Sequence, residues 1–315
     1  MSEPILFDCD PGSDDAIAIL EAFAHPESLQ VIAMTTVGGN QTLNYVTRNL
    51  QHLLWFLHQK TPIAPGQAGP IIKNLQNAAE IHGANGLAGP TFPASADHYP
   101  LASQNGVYFL HQQLQARTTP VTIVATGPLT NIALLLKVFP EDQTKIKQVI
   151  VMGGSLSQGN VTEVAEFNFY VDPDAAQIVL TSGLNIVLRG LDVTNHTGLT
   201  AAEIQQLAHR GPASQLAYQI LVPYFAAETG ETTAASSIAA IHDLTTISYL
   251  LHPEYFHGWQ TTLQVDTSWG AQRGQVQSVE NSSQPANILV LNQVNRPLVA
   301  QLLFDSLTWL DQQLS

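Results

Sequence analysis

The stretch Ile5-Leu6-Phe7-Asp8-Cys9-Asp10-Pro11-Gly12-Ser13-Asp14-Asp15-Ala16-Ile17-Ala18-Ile19-Leu20 constrains the fold more than any other part of the chain. A short apolar run ends in acids, breaks at Pro-Gly and resumes with helical spacing, which predicts strand, tight turn and helix. Asp8 and Asp10, two apart, point to the same side of a strand. Asp14 and Asp15 fall at the start of the helix, where the dipole favours negative charge. Carboxylates so crowded repel one another and take up protons, and a bound cation removes the conflict. Their oxygens are hard ligands that suit Ca²⁺ or Mg²⁺. An Asp-Pro-Gly turn followed by an Asp N-cap explains one or two of these acids without any ligand; four are harder to explain that way.

Apolar, β-branched runs recur and stop at turn residues. Val31 to Val37 stops at Gly38-Gly39-Asn40, Val121 to Thr126 at Gly127-Pro128, Ile146 to Met152 at Gly153-Gly154-Ser155, and Ile186 to Arg189 shortly before Asp192. Helical spacing separates them over Thr42–Gln59, Gln104–Leu114 and Ile132–Val138, and again from Asp172, with Pro173 in the first turn. This alternation predicts an α/β fold: an open, mostly parallel, doubly wound (Rossmann-like) sheet flanked by helices. In such sheets ligands bind at the carboxyl ends of the strands. Those ends here carry Asp10, Asn40, Thr126, Met152 with Gly153, and Asp192. Polar residues close strands in any protein, so Asn40 or Asp192 alone says little. Residues 61–103 predict a strand near Ile63 and then long loops, and 200–251 mostly helix. Residues 259–292 predict antiparallel strands, a small C-terminal addition, and Pro297–Leu314 a closing helix. With no repeat or linker, residues 1–315 read as a single domain.

A formal net charge of −14 with only 11 Lys plus Arg argues against nucleic acid and anionic membranes as partners. No uncharged apolar run reaches the ~18 residues of a membrane span, and the start, with Glu3 and Asp8, lacks a basic secretory n-region. The single Cys9 excludes an internal disulfide and fits a reducing, cytoplasmic compartment. On a strand it reads as a small buried residue rather than a nucleophile.

A second dense patch, Gly159 to Asp174, mixes Asn160, Glu166 and Asn168 with Phe167, Phe169 and Tyr170 and contains no Lys or Arg. A phosphate or carboxylate ligand calls for Arg, Lys or a glycine-rich cradle; hydroxyls that donate to carboxylates, as in a neutral polyol, fit this loop better. Later, His242-Asp243 stands at the head of an apolar helix, where either residue alone reads as a helix-start or cap residue. His82, in Ile81-His82-Gly83-Ala84-Asn85-Gly86, falls in a flexible loop and by itself is unremarkable.

Together, Asp8 to Ala16, Gly39-Asn40, Ala125-Thr126-Gly127-Pro128, Met152-Gly153-Gly154, the Gly159-to-Pro173 loop with Ala165-Glu166-Phe167-Asn168, and His242-Asp243 resemble the nucleoside hydrolases, the inosine-uridine-preferring and related ribonucleoside hydrolase family. The motifs occur in family order across nearly the whole chain. The resemblance implies hydrolysis of the N-glycosidic bond of ribonucleosides such as inosine, uridine or cytidine to ribose and free base, in nucleoside salvage or catabolism. It implies Ca²⁺ held by Asp10, Asp15, the Thr126 carbonyl and Asp243, with Asp10 also the general base. Asp14, Asn160, Glu166 and Asn168 would hold the ribose hydroxyls, supported by Asn40 and Met152, with Phe167 in the same substrate-binding loop. His242, and with it His82, would face the base, His242 as proton donor. A homo-oligomer, tetramer or dimer, is implied as well. Departures gather toward the base: Ser13 replaces an Ile, Val or His, Asn85 and Ala88 replace acids, Leu244 stands where Pro usually follows His-Asp, and residues 225–240 are largely small and polar, short of the aromatics the family often brings there.

Two other readings compete. Asp8-Cys9-Asp10 at a first strand's end also suits a haloacid-dehalogenase-like phosphotransferase, which requires a well-placed Lys and a later acidic pair at a strand end; neither is evident. A non-catalytic Ca²⁺-dependent sugar- or nucleoside-binding protein would bind ribose without turnover.

Overall fold

The computed structural model describes residues 2–230, 237–279 and 286–315. Its first half runs β1 (Glu3–Cys9), α1 (Ser13–Ala24), β2 (Leu29–Thr36), α2 (Leu43–Phe56), β3 (Ile63–Pro65), α3 (Ala79–His82), α4 (Gly106–Gln115), β4 (Val121–Ala125), α5 (Thr130–Val138) and β5 (Ile146–Met152). The second runs α6 (Phe167–Val171), α7 (Pro173–Leu180), β6 (Ile186–Arg189), α8 (Leu191–Thr194), β7 (Gly198–Thr200), α9 (Ala201–Gln205), α10 (Pro212–Thr229), β8 (Ile238–Ala240), α11 (Leu244–Leu251), β9 (Phe256–Thr261), β10 (Leu263–Val265), β11 (Val276–Ser278), β12 (Ile288–Val294) and α12 (Arg296–Leu314).

Among the described residues, eight strands form one sheet in the order β3-β2-β1-β4-β5-β6-β12-β9, with only the edge strand β9 antiparallel to its neighbour. Both faces are covered, as a parallel sheet requires. With the period of two along each strand, Ile5, Phe7, Cys9, Val124, Ile150 and Val187 enter one core with α1, α10, α11 and α12. Leu6, Ile123, Val149, Val151 and Leu188 enter the other with α4, α5 and α7. From β1 the chain builds outward through β2 and β3, then returns to place β4 on β1's other side. The strand order therefore reverses between β1 and β4, and a crevice opens at their carboxyl ends.

The predicted strands at 146–152 and 186–189 coincide with β5 and β6, and Asp172 caps α7 through a bond from the Ala175 N–H at 3.0 Å. The stretch 200–251 is mostly helical, as expected, in α9, α10 and α11, and it also holds β8, which pairs antiparallel with β7, Gly198 opposite Ala240. The C-terminal strands pair antiparallel as predicted, β9 with β12 and β10 with β11. β12 pairs parallel with β6, Val290 opposite Leu188, and with β9 extends the main sheet; only β10 and β11 stand apart as a two-stranded ribbon. The apolar start of β12, Ile288 to Leu291, suits burial on both faces, which an alternating edge pattern does not. The loops after Ile63 hold α3 and a 3-10 turn at Ala94–His98. Parts of the helical reading at 231–236 and of the strand reading at 280–285 lie outside the described residues. Among the described residues, no helix is long and apolar enough to cross a membrane.

Candidate active site

The turn Pro11-Gly12 joins β1 to α1 directly, so the strand's last acid and the helix's first two arrive at one place. Gly12 is the N-cap residue of α1, and Asp15 accepts its N–H at 3.0 Å, closing the first turn. Asp10 is fully buried. Its Oδ2 accepts the Asn40 N–H at 2.7 Å, while its Oδ1 has no hydrogen-bond partner among the described residues. The strand-end glycines let backbone come close to this carboxylate: a Cβ on Gly39 would collide with Oδ2, and one on Gly127 would lie 2.6 Å from Oδ1.

Asp15 accepts the Thr126 hydroxyl at 2.7 Å through Oδ1 and the Asn40 amide at 3.1 Å through Oδ2. Its carboxylate and those of Asp14 and Asp243 offer oxygens that all lie within 4.8 Å of one another. Among the described residues, Asp14 Oδ1 and Asp243 Oδ1, like Asp10 Oδ1, are buried without a partner. Burial, and then mutual repulsion, push the Asp10 and Asp243 carboxyls well above the usual carboxylate range; Asp15 is raised for the same reasons. Unpartnered hard oxygens converging in a buried place fit a divalent cation that supplies the missing countercharge. Thr126 belongs to the same surface, its carbonyl accepting the Asn168 amide at 2.7 Å with a second lone pair left over. Asp8 shares Asp10's side of the strand but not its role. Its Oδ1 is taken by the Thr35 hydroxyl and the Asn131 amide at 2.5 and 2.8 Å, and burial raises it to about 7.

The dense loop closes the opposite wall. Glu166 caps α6 and accepts backbone N–H groups of Asn168, Phe169 and Gly154. Burial holds its carboxyl near 6 despite those bonds. Asn160 Oδ1 accepts the Phe167 N–H at 3.0 Å, leaving its amide N–H groups for a ligand.

Asp14, Asn40, His82, Thr126, Met152, Asn160, Glu166, Phe167, Asn168, His242 and Asp243 all line one cavity of about 480 Å³. Of the candidate residues only Asp10 and Asp15, both fully buried, are not in its lining. The strand-end Asp192 lies outside this lining, on α8, where it accepts the Leu156 N–H at 2.8 Å and ties the segment after β5 to α8. Among the described residues, no Lys or Arg lines the cavity.

His82 is not in a loop but ends α3, buried, and its Nδ1 accepts the Ser13 N–H at 3.2 Å. His242 Nδ1 lies 2.8 Å from the Thr194 hydroxyl, and burial lowers its pKa. Sequence reasoning missed Tyr224 and Glu228, one helical turn apart on α10, Gln76 and Asn77 just before α3, and Glu80 within it. Tyr224 stands one residue before the stretch 225–240, whose one aromatic is Phe225; its ring stacks on His82 at 5.8 Å and its hydroxyl donates to the Ala240 carbonyl at 2.8 Å. The signal was available, since buried Ala217, Ile220 and Leu221 mark the inward side of α10 and Tyr224 continues it. The glutamines and asparagines of the loop carry no period and gave none.

Residues 5–301 match the family model described as inosine-uridine preferring nucleoside hydrolase. The chain is similar to the pyrimidine-specific ribonucleoside hydrolase RihA of Salmonella paratyphi B (strain ATCC BAA-1250 / SPB7), 42% identical over 85% of each chain. It is 38% identical to RihA of Shewanella sp. (strain ANA-3) over 98% of this chain and 96% of that one. Among solved structures, the purine-preferring ribonucleoside hydrolase from Gardnerella vaginalis superposes with a TM-score of 0.91 at 27% identity, covering 99% of this chain and 100% of the other. The plant nucleoside hydrolase PpNRh1 gives 0.89 at 29% identity, over 98% and 99%.

Proposed function

The chain belongs to the inosine-uridine preferring nucleoside hydrolases and is a metal-dependent ribonucleoside hydrolase, and we propose that Ca²⁺ and a pyrimidine ribonucleoside meet in the cavity between β1, β4 and α11. The observation that carries this reading is the buried cluster of Asp14, Asp15 and Asp243, whose carboxylate oxygens lie within 4.8 Å of one another, with Asp14 Oδ1 and Asp243 Oδ1 unpartnered among the described residues, at a cavity that no described lysine or arginine lines. Asp10, Asp15, Asp243 and the Thr126 carbonyl would hold the ion. Calcium fits the all-oxygen donor set, and the pyrimidine preference follows the relatives at 38–42% identity rather than the purine-preferring one at 27%.

When bound, the cation supplies Lewis acidity and an anchor for sugar hydroxyls. The chain's own residues do the rest. Asp10 Oδ1, the oxygen not engaged by Asn40, takes the proton of the attacking water. Asp14 and the Asn168 Oδ1 accept from ribose hydroxyls and Asn160 donates, while Asn40 and Met152 fix the wall behind the sugar. As the glycosidic bond lengthens, positive charge spreads over the ribosyl ring, and Asp14 and Glu166 stand where it develops. His242 delivers a proton toward the departing base. The wall facing the sugar site, formed by His82, Tyr224 and Phe167, receives that base.

The rest of the reading is a single 1–315 domain, a homo-oligomer, dimer or tetramer, and a cytoplasmic home, which the lone buried thiol of Cys9 supports. Free ribose release from ribo-, 2′-deoxyribo- and 5′-phosphorylated nucleosides sharing one base tests the site directly. A site built to bond a hydroxyl rejects the analogue lacking it by about 10⁴, so kcat/KM falls by roughly that factor for the deoxynucleoside. The 5′-phosphate is also poor, because its charge enters an acidic cavity. Cleavage of the deoxynucleoside within tenfold would contradict the assignment of Asp14, Asn160, Glu166 and Asn168.

A further inference from the structure

Arg189, the last residue of β6, is a fully buried cation outside the cavity lining. The period of two places it with Val187 on the sheet face covered by α1 and α11. Its guanidinium carbon lies 4.3 Å from the centre of the Tyr249 ring and 5.5 Å from that of Phe256. Nε donates to the Thr245 carbonyl at 2.9 Å, and the two terminal nitrogens have no hydrogen-bond partner among the described residues. Burial lowers the group to about 9, which leaves it charged at neutral pH. Aromatic faces offset part of the cost of burying such a charge, yet an apolar side chain of similar volume would avoid the cost altogether. Core packing alone therefore does not account for an arginine here.

What Arg189 grips is the turn that carries the reactive pair. Thr245 sends its N–H and its hydroxyl to the His242 carbonyl at 3.2 and 2.7 Å. Thr246 does the same to the Asp243 carbonyl at 2.9 and 2.7 Å. Five residues beyond Arg189, Thr194 holds the His242 ring through Nδ1. The short segment 189–194 thus fixes the His-Asp pair twice, by its backbone turn and by its imidazole. That segment is itself fastened to β5, with the Gly153 N–H donating to the Arg189 carbonyl at 3.1 Å and the Leu191 N–H to the Gly154 carbonyl at 3.0 Å.

We propose that Arg189 is a positioning residue, whose planar guanidinium lies on Tyr249 while donating to Thr245 and so sets the direction in which His242 and Asp243 enter the cavity. This rests on the reading of His242 as a group that serves the substrate. Loss of partners that orient a reactive group typically costs about 10- to 100-fold. Arg189→Met keeps the volume and removes a buried charge, so the fold should hold. On a ribonucleoside we expect kcat to fall about 10- to 100-fold with KM within threefold, and the losses of Arg189→Met and His242→Ala to be less than additive in the double variant. A purely structural role would instead move the melting temperature and leave kcat per folded molecule unchanged. Arg189→Lys gives the same test should the methionine variant not fold. A compact, strongly hydrated ammonium does not stack and donate in the guanidinium's geometry, so kcat falls there too. Folded Arg189→Met or Arg189→Lys with kcat within twofold of the parent, or full additivity with His242→Ala, overturns the proposal. A His242→Ala single variant with unchanged kcat would instead overturn the reading of the site on which it rests.

Discussion

His82 Nδ1 accepts the backbone N–H of Ser13 at 3.2 Å, so a side chain from α3 fills one of the open donor positions in the first turn of α1. A ring nitrogen that accepts carries no proton, which places the hydrogen of the neutral imidazole on Nε2. Burial lowers the pKa to about 4, against a smaller upward pull from Asp15. His82 therefore stays neutral and serves as a hydrogen-bond donor, not as an acid that gives up a net charge. Nitrogen-15 spectra of the histidine rings should show one His82 tautomer, protonated at Nε2, unchanged from pH 8 to pH 5. A His82 titration near pH 6.5 would refute this.

His242 is held differently. Its Nδ1 meets a hydroxyl, which can accept as well as donate, so the ring can become an imidazolium with Nδ1–H donating to Thr194, give its other proton to the departing base and return to the neutral form. His242→Ala should slow hydrolysis of a ribonucleoside by about 10² to 10⁴, the usual worth of general acid catalysis. A p-nitrophenyl riboside, whose leaving group needs no proton, should suffer little. Equal losses on both substrates would assign His242 to packing.

How far the sequence revealed this site depended on local pattern. Asp10, Asp14 and Asp15 were legible because one strand-turn-helix unit carries them all. Thr126 and Met152 were legible because apolar runs stop beside them at glycines. Asp243 sits at the head of an apolar helix whose first turn is easily read. Tyr224 and Arg189 were not singled out. Each follows an apolar stretch that sets its element, but what it faces depends on how α10 and α11 pack on the sheet. The β7–β8 pair was missed for a similar reason: three-residue strands have too little length to show a period, and their register comes from the surrounding helices.

Glu21 offers a test away from the site. It is fully buried on α1, its Oε2 accepting the Ser248 hydroxyl at 2.7 Å while Oε1 has no partner. Burial raises its carboxyl from 4.5 to about 8. Below about pH 4.5 it is protonated in both folded and unfolded chains. As pH rises toward 8 the unfolded chain releases the proton and the folded one does not, so stability is lost across that window, by several kcal/mol. Urea unfolding at pH 5 and pH 8 should show a larger loss for the parent than for Glu21→Gln. Parallel losses would mean that Glu21 ionises normally in the folded protein.

The cation proposed at the Asp14–Asp15–Asp243 cluster, next to Asp10, is the centre of this chemistry. The direct measurement is metal content of the purified protein, joined to ribonucleoside hydrolysis before and after thorough chelation and after Ca²⁺ is restored. The expected result is one tightly bound Ca²⁺ per chain, activity lost on chelation and recovered with Ca²⁺, and neither metal nor activity in Asp10→Ala or Asp15→Ala. Hydrolysis that continues undiminished in protein shown to be free of metal would contradict it.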